Sequence, residues 1–133
     1  MKKETKKLKV LIIDDDLELL EMYRYTFEKD GFEVKTETNG LLGITMAVQY
    51  QPDIILLDIM MPQMDGFETI RAFQYNTDMK TTILVLSNLN QPEKIEHALQ
   101  SGADAFLLKA NCTPRQVLEK ALELLEQKKK ENN

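Results

Sequence analysis

Short apolar runs alternate with amphipathic stretches along the whole chain. Val10-Leu11-Ile12-Ile13, Ile54-Ile55-Leu56-Leu57, Ile83-Leu84-Val85-Leu86 and Phe106-Leu107-Leu108 are runs of strand length. The runs at 54–57 and 83–86 are continuously apolar, as in strands covered on both faces, whereas Phe32 to Thr38 alternates like an edge strand. The pattern predicts strands near 8–13, 33–38, 54–58, 82–87 and 105–108, and helices near 16–29, 40–50, 66–75, 91–101 and 114–128. Gly31 and Gly102 stand where two helices should stop, and Thr113-Pro114 offers the last helix an N-cap followed by proline at its first position.

Strands alternating with helices imply an α/β fold: a doubly wound parallel sheet with crossover helices on both faces. For five such units the natural arrangement is flavodoxin-like, with strand order 2-1-3-4-5, and ligands of such sheets bind outside the carboxyl ends of the strands at the switch point. Here the switch point lies between strands 1 and 3. Asp14 and Asp15 follow the first apolar run, Asp58 the third, Ser87 the fourth and Lys109 the fifth. All five side chains should therefore gather on one edge of the sheet.

Length and composition narrow the classes. The 133 residues, 43% hydrophobic, suit one domain spanning 1–133, with a core near 7–127 and a polar tail at 128–133 that frays beyond the last helix. A net charge of −5 argues against direct nucleic-acid binding. Cys112 is the single cysteine, which excludes an internal disulfide and points to a cytoplasmic setting. The lysine-rich start precedes no apolar stretch long enough for a signal peptide or membrane span. His97, the lone histidine, reads as an exposed residue of the fourth helix.

Converging carboxylates repel one another unless a cation joins them. Magnesium suits such a pocket, because it prefers oxygen ligands and is commonly held by one or two carboxylates, with waters and a phosphate completing its shell. An aspartate can also act as a nucleophile towards phosphorus, and Asp58 is the best-placed candidate. Lys109 and Ser87 would then neutralise and orient the phosphoryl oxygens.

The ordered set Val10-Leu11-Ile12-Ile13-Asp14-Asp15-Asp16, Asp58-Ile59-Met60-Met61-Pro62-Gln63-Met64-Asp65-Gly66, Ser87, Gly102-Ala103-Asp104 and Phe106-Leu107-Leu108-Lys109 resembles the receiver domains of two-component response regulators. The resemblance covers residues 7–127. It implies that Asp58 accepts a phosphoryl group from a sensor histidine kinase or phosphotransfer protein. It also implies that magnesium is bound by Asp15 directly, by Asp14 through water, by Asp58 and by the backbone carbonyl of Met60. Ser87 and Phe106 would be switch residues, and a surface of helix 4, strand 5 and helix 5 would meet a downstream effector or a second copy in a homodimer. No separate substrate would be turned over.

Two positions depart from the family pattern. Alanine, not proline, follows Lys109, so the peptide bond that is usually cis in the family would here cost roughly 2.5–4 kcal/mol in that form; either Lys109 aims differently, or the surrounding structure holds a strained cis bond. Asn88 replaces a small residue and is expected to narrow access to Asp58 or to contact the phosphoryl group. Met60 and Leu89 offer apolar flanks that should slow phosphoryl loss. A receiver that only docks, without phosphotransfer, is one rival. A magnesium-dependent phosphohydrolase with an aspartyl nucleophile is the other, although Met60 stands where such enzymes carry a second acid. Asp16 reads as a cap or solvated residue, and a capping box from Asp15 to Glu18 is the plainer alternative to a metal role for Asp15. The apolar stripe of the last helix reads first as a well-buried face, with a partner surface from Leu118, Leu122 and Leu125 as the sharper alternative.

Overall fold

A computed structural model describes residues 7–61, 65–75 and 81–131. Pro62, Gln63 and Met64 of the motif after Asp58, the lysine-rich residues 1–6, residues 76–80 and the last two asparagines lie outside the described residues. The elements are β1 (Lys9–Ile13), α1 (Leu17–Lys29), β2 (Glu33–Glu37), α2 (Gly40–Tyr50), β3 (Ile54–Leu57), α3 (Gly66–Tyr75), β4 (Thr82–Ser87), α4 (Pro92–Gln100), β5 (Ala105–Leu108), a 3₁₀ turn (Lys109–Asn111) and α5 (Pro114–Glu131). The strands pair in parallel in the order β2-β1-β3-β4-β5, as expected from the sequence.

The two-residue period of a strand divides the core. Val10, Ile12, Leu56, Leu84 and Leu86 pack with Leu20, Tyr23 and Phe27 of α1 and with Val117, Leu118 and Ala121 of α5. Leu11, Ile13, Ile55, Leu57, Ile83 and Val85 face the other way, onto Ala47 of α2, Ile70 and Phe73 of α3 and Ala98 of α4. Every residue of β3 and β4 is buried, whereas β2 buries only Val34, which is the difference between central strands and an edge.

Local chemistry sets the boundaries. Asp16 caps α1 as the sequence suggests, accepting from the amides of Glu18 and Leu19, which leaves Asp15 free of a capping role. Thr113 and Gln116 exchange hydrogen bonds of 2.9 and 3.1 Å at the start of α5. Gly31 and Gly102 take φ of 94° and 125° after α1 and α4, a conformation a Cβ would penalise.

The last helix runs past its predicted end at 128. α5 continues through Lys128, Lys129 and Lys130 to Glu131, because those residues favour helix, their charges complement its carboxyl end, and Lys128 Nζ lies 3.7 Å from Asp104 Oδ1. Leu118 is core rather than partner surface; Leu125 packs half-buried on that core, and Leu122 is exposed. Among the described residues no helix is long and apolar enough to cross a membrane.

α4 is the most lightly fastened helix. It buries Ala98 alone, and Gln91 at its N-cap makes no side-chain capping bond. His97 is exposed but not solitary: its ring stacks on Phe67 of α3, with centroids 4.2 Å apart and planes 5° from parallel.

Candidate functional site

The parallel register brings β1 and β3 side by side, with Ile13 opposite Leu57. Asp14 and Asp58 therefore leave the sheet together at its carboxyl edge. The backbone holds both: the Asp14 amide donates to Glu37 O at 3.1 Å and the Asp58 amide to Ile13 O at 3.0 Å. Asp15 stands beside them, exposed, and one carboxylate oxygen from each of Asp14, Asp15 and Asp58 lies within 4.8 Å of the other two.

Asp14 and Asp58 are buried, only 2% and 6% exposed. Lys109 reaches in from the end of β5 and places Nζ 2.6 Å from Asp14 Oδ2 and 2.8 Å from Asp58 Oδ2. Backbone amides hold the remaining oxygens, with Asp16 N–H donating to Asp14 Oδ1 and Met60 N–H to Asp58 Oδ1, each at 2.9 Å. Each buried carboxylate is thus fixed in orientation from two sides.

The charges do not balance, since three carboxylates face one ammonium among the described residues. Burial pushes the Asp14 carboxyl above its ordinary range, and hydrogen bonds from Lys109 and the Asp16 amide only partly offset that. Burial alone would lower Lys109. Its bonds to Asp14 and Asp58 outweigh that effect, so the ammonium is held charged above its ordinary value. An all-oxygen donor set with surplus negative charge fits a hard divalent cation such as magnesium.

Of the two expectations for the Lys109–Ala110 segment, the strained cis bond is absent: no peptide bond among the described residues is cis, and the chain turns through the 3₁₀ segment with the Lys109 ammonium on the carboxylates. Asn88 makes a contact that the sequence alone did not suggest, since its Oδ1 accepts the Ala110 amide at 3.0 Å. This pairing of the two unusual positions left no signal in either residue alone.

Ser87 is fully buried at the end of β4, where its Oγ accepts from Leu89 N–H at 3.4 Å, a partner in the β4–α4 backbone and not a pocket carboxylate. Phe106 is half-buried and packs on the cluster shared by α2, α3 and α4. Met60 exposes 54% of its surface beside Asp58. Asp104 serves the fold instead, as its Oδ2 accepts the Ile83 amide at 2.7 Å.

Comparisons with known proteins agree with this geometry. The family described as "Response regulator receiver domain" matches residues 10–123. The DNA-binding dual master transcriptional regulator RpaA of Synechocystis sp. is 36% identical over 104 residues, 76% of this chain and 42% of RpaA. The transcriptional regulatory protein PhoP of Bacillus subtilis, named for alkaline phosphatase synthesis, is 28% identical over 82% of this chain and 45% of its own. The chain thus spans less than half the length of these relatives. Among solved structures, the chemotaxis response regulator CheY4 of Vibrio cholerae superposes with a TM-score of 0.83 at 31% identity, covering 90% of this chain and 99% of its own. A CheY-like receiver domain protein from Methanospirillum hungatei gives 0.86 at 28% identity, over 95% and 99%. The sheet order, the acidic crevice between β1 and β3 and these matches together place the chain in the family of response regulator receiver domains.

Proposed function

We propose that Asp58 is the phosphoryl acceptor of this receiver and that Asp14, Asp15, Asp58 and the Met60 carbonyl hold the magnesium ion the transfer needs. The observation that carries this reading is the crevice itself: three convergent carboxylates within 4.8 Å, with the Lys109 ammonium 2.6 and 2.8 Å from two of them. Bound magnesium would supply charge neutralisation for the phosphoryl oxygens.

The chain's own groups do the rest. An Asp58 carboxylate oxygen attacks the phosphorus of a phosphohistidine on a sensor kinase or phosphotransfer protein. An O–P bond forms, the P–N bond breaks, and its electron pair leaves with the imidazole. Lys109 is already within reach of Asp58 Oδ2 and neutralises an oxygen of the incoming group, at little cost in reorganisation. The Ser87 hydroxyl exchanges the Leu89 amide for the phosphoryl group, and that change in the β4–α4 backbone propagates with Phe106 to the face of α4, β5 and α5. A downstream effector or a second copy of the chain reads that face. The cycle consists of self-phosphorylation and self-dephosphorylation.

The rival of docking without phosphotransfer drew its support from Ala110 and Asn88. The position of Lys109 weighs against that rival, because the ammonium lies on the pocket carboxylates with both residues in place.

Intact-mass measurement with a small acyl phosphate and magnesium tests the reading. One phosphoryl adduct is expected on the unaltered chain and none on Asp58→Asn or after chelation. Labelling that survives Asp58→Asn refutes it.

A further inference from the structure

Ala110 is the second residue of the 3₁₀ turn and directly follows Lys109. The first amides of such a turn have no partner within it. Ala110 N–H finds one in Asn88 Oδ1, at 3.0 Å and 22 positions away. Proline carries no N–H, so this bond exists only because position 110 is not proline. Behind Lys109, β5 is paired with β4, with Leu108 opposite Ser87, and ahead of it the Cys112 amide donates to Lys109 O at 3.2 Å. Asn88 therefore closes a frame around the backbone from which the pocket cation projects. It does so from the residue next to Ser87, so the acceptor that holds the turn and the hydroxyl of the pocket are consecutive in the chain.

We infer that Asn88 is a positioning residue for Lys109, acting through the Ala110 amide. The side chain of Asn88 supplies by a hydrogen bond the restraint on the Lys109–Ala110 segment that the sequence does not supply by a ring. The inference rests on the phosphoryl-acceptor reading of the same pocket. The bond is solvent-exposed, so its loss should cost the fold little and the transfer much.

The test uses the full chain, Asn88→Ala, and Asn88→Asp, which keeps an acceptor oxygen at the same reach. Hydrogen exchange of the Ala110 amide reports the bond directly. In Asn88→Ala that amide should exchange about tenfold faster, as expected for loss of one hydrogen bond, and the maximal rate of labelling by a small acyl phosphate at saturating magnesium should fall about tenfold. Magnesium affinity and melting temperature should hold. Asn88→Asp should restore both the slow exchange and most of the rate. An undiminished rate in Asn88→Ala overturns this inference alone. So does a rate that falls together with magnesium affinity and melting temperature, since that marks general loosening. Absence of labelling on the unaltered chain overturns the phosphoryl-acceptor reading and this inference with it.

Discussion

Gly66 opens α3 directly over Ile59, the residue after the proposed acceptor, and Gly66→Ala sets two physical effects against each other. Alanine is the better helix former, by up to about 1 kcal/mol in a helix interior. The added Cβ, however, would lie 2.5 Å from Ile59 Cα and 2.6 Å from Ile59 Cγ2, and would press on Ile59 Cβ as well. Ordinary contact begins near 3.4 Å, so helix and loop must separate by at least about 0.9 Å to clear the Cα alone. The obstacle is backbone, which no rotamer change can clear. Overpacking of this kind costs about 1–3 kcal/mol and exceeds the gain in propensity, which is small at a first helical position. For a chain of this size the melting temperature should drop by roughly 4–12 °C, with a matching fall in the urea midpoint. Labelling should slow as well, because Ile59 adjoins Asp58. Gly43→Ala is the comparison: the three atoms nearest its Cβ all belong to the side chain of Ile13, including Cγ1 at 3.0 Å, so the obstacle there is a side chain and not backbone. A Gly66→Ala protein that melts at or above the unaltered temperature refutes the reasoning.

Three further outcomes are expected. Lys109→Met should lose stability at neutral pH; since the folded chain holds the Lys109 proton above its ordinary value of 10.5, the margin between the two proteins in melting scans stays flat from neutral pH to about pH 10 and narrows as pH rises through the raised value, and a margin that never narrows across the alkaline range in which the fold survives argues against the pairing. Magnesium should raise the melting temperature, by an amount equivalent to about 1.4 kcal/mol at ten times its dissociation constant, and Asp15→Ala should abolish most of the shift while barely altering the apo melt. Replacing Met60 and Leu89 together by polar residues should shorten the lifetime of the phosphorylated chain, followed by intact mass; a lifetime of seconds in the unaltered protein, indifferent to both changes, refutes their protective role.

The order of strands was legible because burial on two faces and burial on one leave different patterns, as β3 and β2 show. Asp14, Asp15, Asp58 and Lys109 were legible because a parallel sheet sends every strand end to one edge. The 3₁₀ turn and the Asn88–Ala110 bond were not, since they depend on which backbone amide happens to face which side chain across 22 residues. Nor could composition separate the carboxylates by role. Asp53 and Asp104 also flank strands, yet Asp53 Oδ2 takes the Lys9 amide at 2.8 Å and Asp104 Oδ2 that of Ile83, so both are spent on the sheet's amino edge. The length of α5 was missed for a related reason: lysines that look like a solvated tail become helix once Asp104 stands opposite Lys128.

The light anchoring of α4 sets an energy scale for the whole molecule. One buried alanine and one stack of Phe67 on His97 are small holdings beside the core faces of α1 and α5, so α4 belongs to the part of the fold that opens at least expense. It begins just beyond Ser87, Asn88 and Leu89, where the pocket meets the backbone. A displacement worth only a few kcal/mol at the carboxylates therefore has somewhere to go. Under the proposed phosphoryl transfer, the element expected to yield is this weakly held helix and not the sheet.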